Sequence, residues 1–176
     1  YCVVLFTYAV LNASRLAFLG FSQPGEPEWG AMLAEARGTF RASPWPALAA
    51  MAAVTSTLNV GILVLDCDFR HPVPLAKELA TIDQISEGRL EVGLGAGWKR
   101  HDYDSSGIPM DPPGVRVTRL QEHTAVLKGL WAEGPFSFEG EHYTITELEG
   151  LPLPYRPGGP PILVGGGAPR LLGWAG

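Results

Sequence analysis

The chain has 176 residues, of which 46% are hydrophobic and 18% are charged, a composition that favours a globular domain with a core over a disordered segment. Its formal net charge of −5 argues against nucleic acid as a partner, because nucleic-acid binders usually present a basic face. The two cysteines, Cys2 and Cys67, stand far apart in the chain, which excludes a disulfide scaffold and a cysteine-based zinc site. Cysteine usage therefore predicts a reducing compartment, the cytoplasm.

The first residues form a separate segment. Residues 1–14 carry no charge and are mostly apolar, and Arg15 ends the run. The run is shorter than the ~20 residues of a spanning helix, and it lacks the basic start of a signal peptide. We therefore interpret residues 1–21 as a buried first element or as a leader, with a membrane anchor as the third alternative, and expect no stable membrane association. Residues 22–176 are predicted to be the folded domain.

Strand and helix patterns alternate from there to the end of the chain. The predicted strands cover residues 18–22, 59–65, 90–94 and 161–165, and the predicted helices cover 28–37, 44–55, 72–85, 115–131 and 168–174. Residues 59–65 (NVGILVL) form a near-continuous apolar run, which predicts a strand covered on both faces. Residues 136–145 alternate around Glu139-Gly140 and predict a hairpin. This order indicates parallel βαβ units, in a doubly wound sheet or part of a (β/α)₈ barrel.

Polar residues follow the strand predicted over residues 59–65. Because active sites lie at the C-terminal ends of parallel strands, Asp66, Asp68 and His71 are candidates for a small-molecule site or, less favourably, for a metal site. The structural alternative is that Asp68 and His71 cap the next helix while Arg70 pairs with a carboxylate. We predict no metal here.

Two further strand ends are rich in glycine. Gly95, Ala96 and Gly97 precede Trp98, but the spacing matches neither the dinucleotide-binding fingerprint nor the P-loop. Exposed backbone N–H groups in such a turn can hold an anion. Gly165, Gly166 and Gly167 follow the last predicted strand and precede a predicted helix, which makes them candidates for a phosphate site or for a tight structural turn.

Several segments lie in register with those of one family. They are residues 47–54, 60–64 (VGILV), 69–72 (FRHP), 75–83 (LAKELATID), 86–89 (SEGR), 93–97 (GLGAG), 107–109 (GIP), Arg119, 130–131 (LW), 138–143 (FEGEHY) and 160–166 (PPILVGG). In this order they resemble the luciferase-like monooxygenase superfamily, and most closely its coenzyme F420-dependent oxidoreductases. The resemblance covers about residues 44–174.

The resemblance implies a (β/α)₈ barrel of the luciferase-like type, of which this chain supplies about the first half. It implies a flavin or deazaflavin at the strand C-termini and a non-proline cis peptide bond in the strand at Leu63–Val64. By the same resemblance, five residues border the cofactor beside that bond: Asp66, Gly95, Ala96, Gly97 and Trp98. Gly165, Gly166 and Gly167 approach its phosphate.

Two departures limit what can be carried over. The Asp-His pair that usually ends the family's second strand is absent, and Trp98 stands where some relatives carry a catalytic acid, so the catalytic residue stays unknown. The resemblance implies F420-dependent hydride transfer to or from a small organic substrate, with Lys99-Arg100 suited to the acidic F420 tail. The alternatives are an FMN-dependent monooxygenase and a truncated, non-catalytic cofactor-binding fragment. A half barrel with open sheet edges is expected to aggregate or to form a homodimer, with little turnover.

Overall fold

The computed structural model describes residues 45–175. The chain divides into two compact units, residues 1–60 and residues 61–176. Within the described part of the first unit, helix α1 spans Trp45–Val54, in agreement with the helix predicted over residues 44–55. The predictions for residues 1–21 and for the elements at 18–22 and 28–37 lie outside the described residues.

The remaining elements follow the predicted alternation. They are β1 (Val60–Asp66), a 3-10 turn (Cys67–Phe69), α2 (Pro72–Ile85), β2 (Leu90–Gly95), α3 (Arg100–Ser106), α4 (Pro113–Leu130), β3 (Pro135–Glu139), β4 (Thr144–Glu149), β5 (Ile162–Gly165) and α5 (Pro169–Ala175). Helix α3 and the 3-10 turn are the two elements in this part of the chain that the sequence analysis missed.

Local signals explain why α2 begins and ends where it does. The ring Nδ1 of His71 accepts a hydrogen bond from the Val73 N–H at 3.3 Å, and Pro72 occupies the first helical position. At the other end, Glu87 and Gly88 adopt φ values of 53° and 80°, a left-handed conformation that stops the helix. His71 therefore caps a helix, as the structural alternative proposed, whereas Asp68 does not cap it and pairs with Arg119 instead.

A three-stranded sheet has the order β1-β2-β5. Strands β2 and β5 are parallel and in register from Val92 opposite Ile162 to Gly95 opposite Gly165. The chain between them forms α3, α4 and the β3–β4 hairpin. Because β2 and β5 run in the same direction and end at the same level, the glycines that follow them meet at one edge of the sheet.

The core of this unit lies between α2, α4 and β2. Its fully buried apolar side chains include Leu75, Leu79, Leu90, Val92, Leu94, Leu120, Leu127 and Leu130. The Trp131 indole closes one end of this core and donates a hydrogen bond to the Ala76 carbonyl at 3.1 Å. Helix α2 thus packs against both α4 and β2. None of the helices in residues 45–175 combines the length and the apolar content needed to cross a membrane.

The prediction that residues 59–65 are covered on both faces is wrong. Leu63 is 77% exposed and Val64 is 37% exposed. An apolar run is buried on both sides only where a layer packs on each side of the sheet. Within residues 45–175 no second layer covers Leu63.

Helix α4 holds the hairpin through two polar residues. The Glu122 carboxylate accepts backbone hydrogen bonds from Glu141, His142 and Tyr143 at 2.8, 2.8 and 3.2 Å. Burial alone would raise the pKa of Glu122, but these three donors outweigh it and lower the pKa. The fully buried His123 lies 3.4 Å from the Tyr143 hydroxyl through Nδ1, and burial lowers its pKa to about 4.

Candidate active site

The ends of β1, β2 and β5 surround a cavity of about 490 Å³. This volume lies within the range of small-molecule sites. The cavity, called here the strand-end cavity, is lined by Val64, Asp66, Gly95, Ala96, Gly97, Trp98, Lys99, Asp102, Tyr103, Pro113, Arg116, Val117, Gly165, Gly166, Gly167, Ala168 and Leu171. Side chains and backbone from five successive parts of the chain thus meet at one edge of the sheet.

This cavity brings together nearly all the residues that the sequence singled out. The three strand ends contribute Val64 and Asp66, then the run from Gly95 to Trp98, then Gly165, Gly166 and Gly167. The exceptions are Leu63, Asp68 and His71, which do not line the cavity. The peptide bond between Leu63 and Val64 is cis, as the resemblance implied.

Close packing around Val64 requires glycine at these strand ends. A Cβ atom on Gly95 would lie 3.1 Å from one methyl group of Val64, and a Cβ atom on Gly165 would lie 2.6 Å from the other. The Val64 side chain therefore lies across the ends of β2 and β5. Gly167 differs, because a Cβ atom there would meet no heavy atom within 4 Å. The cavity floor is consequently a valine methyl surface bordered by backbone.

Arg116 of α4 fixes the loop that follows β2. Its guanidinium donates hydrogen bonds to the carbonyls of Ala96, at 2.7 Å, and Gly97, and its Nε donates to the Asp111 carbonyl at 2.9 Å. The residue is 7% exposed. A buried cation thus binds backbone carbonyls, which orients the loop's carbonyl groups towards α4.

A second network joins two carboxylates through a phenol. The Tyr103 hydroxyl, on the buried side of α3, lies 3.0 Å from Asp66 Oδ2 and 2.7 Å from Asp68 Oδ2. Asp68 also pairs with Arg119 at 2.6 Å, and Arg119 pairs in turn with Asp111. Burial raises the pKa of Asp66 above its usual range, although the Asp68 N–H bonded to Asp66 Oδ1 at 3.0 Å opposes the shift.

The alternatives for the first strand end can now be compared. Asp66, Cys67 and Asp68 each place one ligand atom within 4.8 Å of the others, but the carboxylates bind Tyr103 and Arg119. His71 is not part of this group because it caps α2. Arg70 pairs with Glu78, as the structural alternative proposed. These observations favour a hydrogen-bonded network over a set of metal ligands.

The basic pair beside the cavity already has acidic partners. Lys99 lies 3.2 Å from Asp102, and Arg100 lies 3.1 Å from Asp104. All four side chains are substantially exposed, so each pair contributes little to stability. Trp98 next to them is 82% exposed and offers a free indole face at the cavity rim.

Sequence reasoning missed Tyr103 and Arg116 as parts of the site. Tyr103 lies shortly after the glycine-rich turn in the sequence but belongs to no motif, and Arg116 carried no recognisable signal. An arginine in a helix normally faces solvent, and only the fold brings this one against the loop of residues 96–97.

Comparison with known proteins identifies the family. The profile of the luciferase-like monooxygenase family matches residues 29–176. The chain belongs to this family. The resemblance seen in the sequence is therefore confirmed, and so is the fold class, part of a luciferase-like α/β barrel.

Luciferase-like relatives share part of their length with this chain. An uncharacterized protein of Mycobacterium tuberculosis is 32% identical over 131 residues, which are 74% of this chain and 45% of that protein. The FMNH2-dependent dimethylsulfone monooxygenase of Pseudomonas putida is 34% identical over 66% of this chain and 32% of its own length. The chain therefore spans less than half the length of these curated relatives.

Among solved luciferase-like structures, the coenzyme F420 dependent tetrahydromethanopterin reductase from Methanopyrus kandleri matches with a TM-score of 0.67 and 25% identity. The match covers 74% of this chain and 40% of that chain. Relatives of this chain thus include an F420-dependent reductase and an FMNH2-dependent monooxygenase, so both predicted cofactors occur among them.

Proposed function

We propose that the strand-end cavity holds the ring of a deazaflavin or flavin cofactor, and that the protein is an oxidoreductase acting on a small organic substrate. The observation that carries this proposal is the convergence of three strand ends on one cavity of suitable volume. Its floor is the Val64 side chain, which suits one face of a planar ring, and Trp98 at the rim offers a second planar surface.

Different residues of the cavity would contact different parts of the cofactor. Val64 and Gly95 would contact the ring, and the backbone of Gly165, Gly166 and Gly167 would lie near the cofactor phosphate. Gly167 has free space on its Cα, so a bulky anion can approach its backbone. When bound, a reduced deazaflavin supplies a hydride and a reduced flavin activates oxygen, whereas the protein positions the reactants and excludes water.

F420 is the first candidate cofactor, because Lys99 lies in the cavity wall beside Arg100 and both are suited to an acidic tail. FMN is the second candidate, and a specific observation favours it. Lys99 and Arg100 already pair with Asp102 and Asp104, which reduces the net positive charge available to such a tail.

The experiment is a fluorescence titration of F420 and of FMN against the protein, expressed in the longest form that its reading frame provides. Saturable binding supports the proposal, and the absence of a saturable signal with either cofactor refutes it. Lys99→Gln should weaken F420 binding several-fold and leave FMN binding unchanged if F420 is the cofactor. Lys77→Gln is the matched control, because Lys77 is an exposed lysine of α2 that does not line the cavity. Binding without turnover would favour the non-catalytic alternative.

A further inference from the structure

The hydrogen bonds of the Tyr103 hydroxyl support a further inference. A phenol has a single hydrogen to donate, yet the Tyr103 hydroxyl lies within hydrogen-bond distance of two carboxylates. The shorter contact, 2.7 Å, is to Asp68, whose other oxygen pairs with Arg119 at 2.6 Å. Asp68 is thus the ionised member of the pair and receives the Tyr103 hydrogen.

This assignment leaves two oxygens facing each other without a hydrogen between them. They are Tyr103 Oη and Asp66 Oδ2, 3.0 Å apart. Two acceptor atoms at that separation repel unless one of them carries a proton. A proton on Asp66 Oδ2 completes the chain, since Asp66 then donates to Tyr103 and Tyr103 donates to Asp68. The second oxygen of Asp66 still accepts from the Asp68 N–H at 3.0 Å.

We infer that Asp66 is a neutral carboxylic acid and serves as the proton donor to whatever reacts in the strand-end cavity. This inference rests on the proposed function for its role in catalysis, but the protonation of Asp66 stands on the geometry alone. Asp66 lines the cavity, whereas Asp68 does not. Tyr103 and Asp68 are positioning residues, because they act through the Asp66 proton.

The charges around Asp66 are consistent with this arrangement. Burial raises the pKa of Asp66, and the nearby Asp68 carboxylate raises it further. The Asp68 N–H opposes the shift, Arg116 on α4 opposes it more weakly, and a hydroxyl hydrogen donated by Tyr103 to Asp66 would oppose it as well. Because Tyr103 gives its hydrogen to Asp68, the hydroxyl does not stabilise an ionised Asp66. The buried Cys67 thiol is neutral, since burial raises its pKa.

The chemical role follows from the balance of a hydride reduction. Addition of a hydride to an organic double bond moves one electron pair and requires one proton for a neutral product. A reduced cofactor held in the cavity would supply the hydride, and Asp66 would supply the proton and become a carboxylate. A proton from solvent at the cavity mouth then restores the acid. Some relatives carry a catalytic acid at the position of Trp98, whose indole has no titratable group. Asp66 therefore provides the acid that the sequence analysis did not identify.

The test begins on the protein without cofactor, so that it does not depend on the proposed function. Infrared difference spectroscopy against pH should detect a protonated carboxyl group that titrates above the usual range of aspartate. The signal should vanish in Asp66→Asn, which mimics the neutral acid and keeps the fold. Asp104→Asn, on an exposed aspartate of α3, is the matched control and should leave the signal intact. A signal that survives Asp66→Asn, or the absence of any such signal, overturns the inference.

Tyr103→Phe tests the direction of the hydrogen bond. Removing the acceptor for the Asp66 proton should lower the pKa of Asp66 by roughly one unit, the equivalent of one hydrogen bond. A rise instead would show that the hydroxyl donates to an ionised Asp66, and would overturn the assignment. If a cofactor binds, Asp66→Asn should lower kcat at least ten-fold when the cofactor is saturating. Unchanged kcat and pH profile would refute the catalytic role, whereas failure of cofactor binding would refute only the proposed function.

Discussion

Gly97→Ala should destabilise the protein by more than the backbone conformation alone explains. Gly97 has a φ of 71°, which an alanine adopts at a cost of about 1 kcal/mol. A Cβ atom there would also lie 1.8 Å from the Tyr103 hydroxyl oxygen and 2.5 Å from Asp66 Oδ2. Tyr103 is 1% exposed and cannot move aside freely. Overpacking of this kind typically costs about 1–3 kcal/mol, so the total loss should be about 2–4 kcal/mol.

Gly107→Ala separates the two contributions. Gly107 has nearly the same φ, 72°, but a Cβ atom there would meet nothing within 4 Å. This control should therefore lose only about 1 kcal/mol. The measurement is urea unfolding of both variants and the parent protein at one pH, with the midpoint shift converted through a common slope. Equal losses in the two variants would refute the packing around Tyr103 on which the candidate site depends.

Three further predictions concern α4. Arg116→Lys should lose about 2–3 kcal/mol and speed hydrogen exchange in the loop of residues 96–97, because an ammonium group cannot reach all three carbonyls. His123 has a pKa of about 4 in the folded protein, so the unfolded chain takes up a proton at this histidine first as the pH falls. The free energy of unfolding should therefore fall by on the order of 3 kcal/mol between pH 6.5 and 4. His123→Gln should remove this pH dependence from the urea midpoint. Glu122→Gln should lower the free energy of unfolding by about 1–2 kcal/mol at pH 7. The pKa of Glu122 is lower in the folded protein than in the unfolded chain, so this difference from the parent protein should shrink as the pH falls through the carboxyl range. An unchanged urea midpoint or exchange rate in any of these variants would contradict the contact concerned.

Much of the fold was predictable because its signals are local. His71 and Pro72 start α2 and Gly88 ends it, and each acts on neighbouring backbone groups. The candidate site followed from one additional rule, since parallel strands place their C-terminal ends at the same edge. That rule was sufficient to bring Val64 and Gly95 to one cavity with Gly165.

Within residues 45–175 the sequence alone determined most of the segments that form strands and helices, although it missed α3, and it determined where the glycine turns stand and to which family the chain belongs. Only the tertiary structure decided what those turns contact. Tyr103 reaches Asp66 across 37 residues, and Arg119 reaches Asp68 across 51. Such contacts depend on the angle and separation at which α3 and α4 lie against the sheet, and packing of the whole core sets that geometry. Exposure of Leu63 has the same origin, because an apolar run predicts burial only if a second layer exists to cover it.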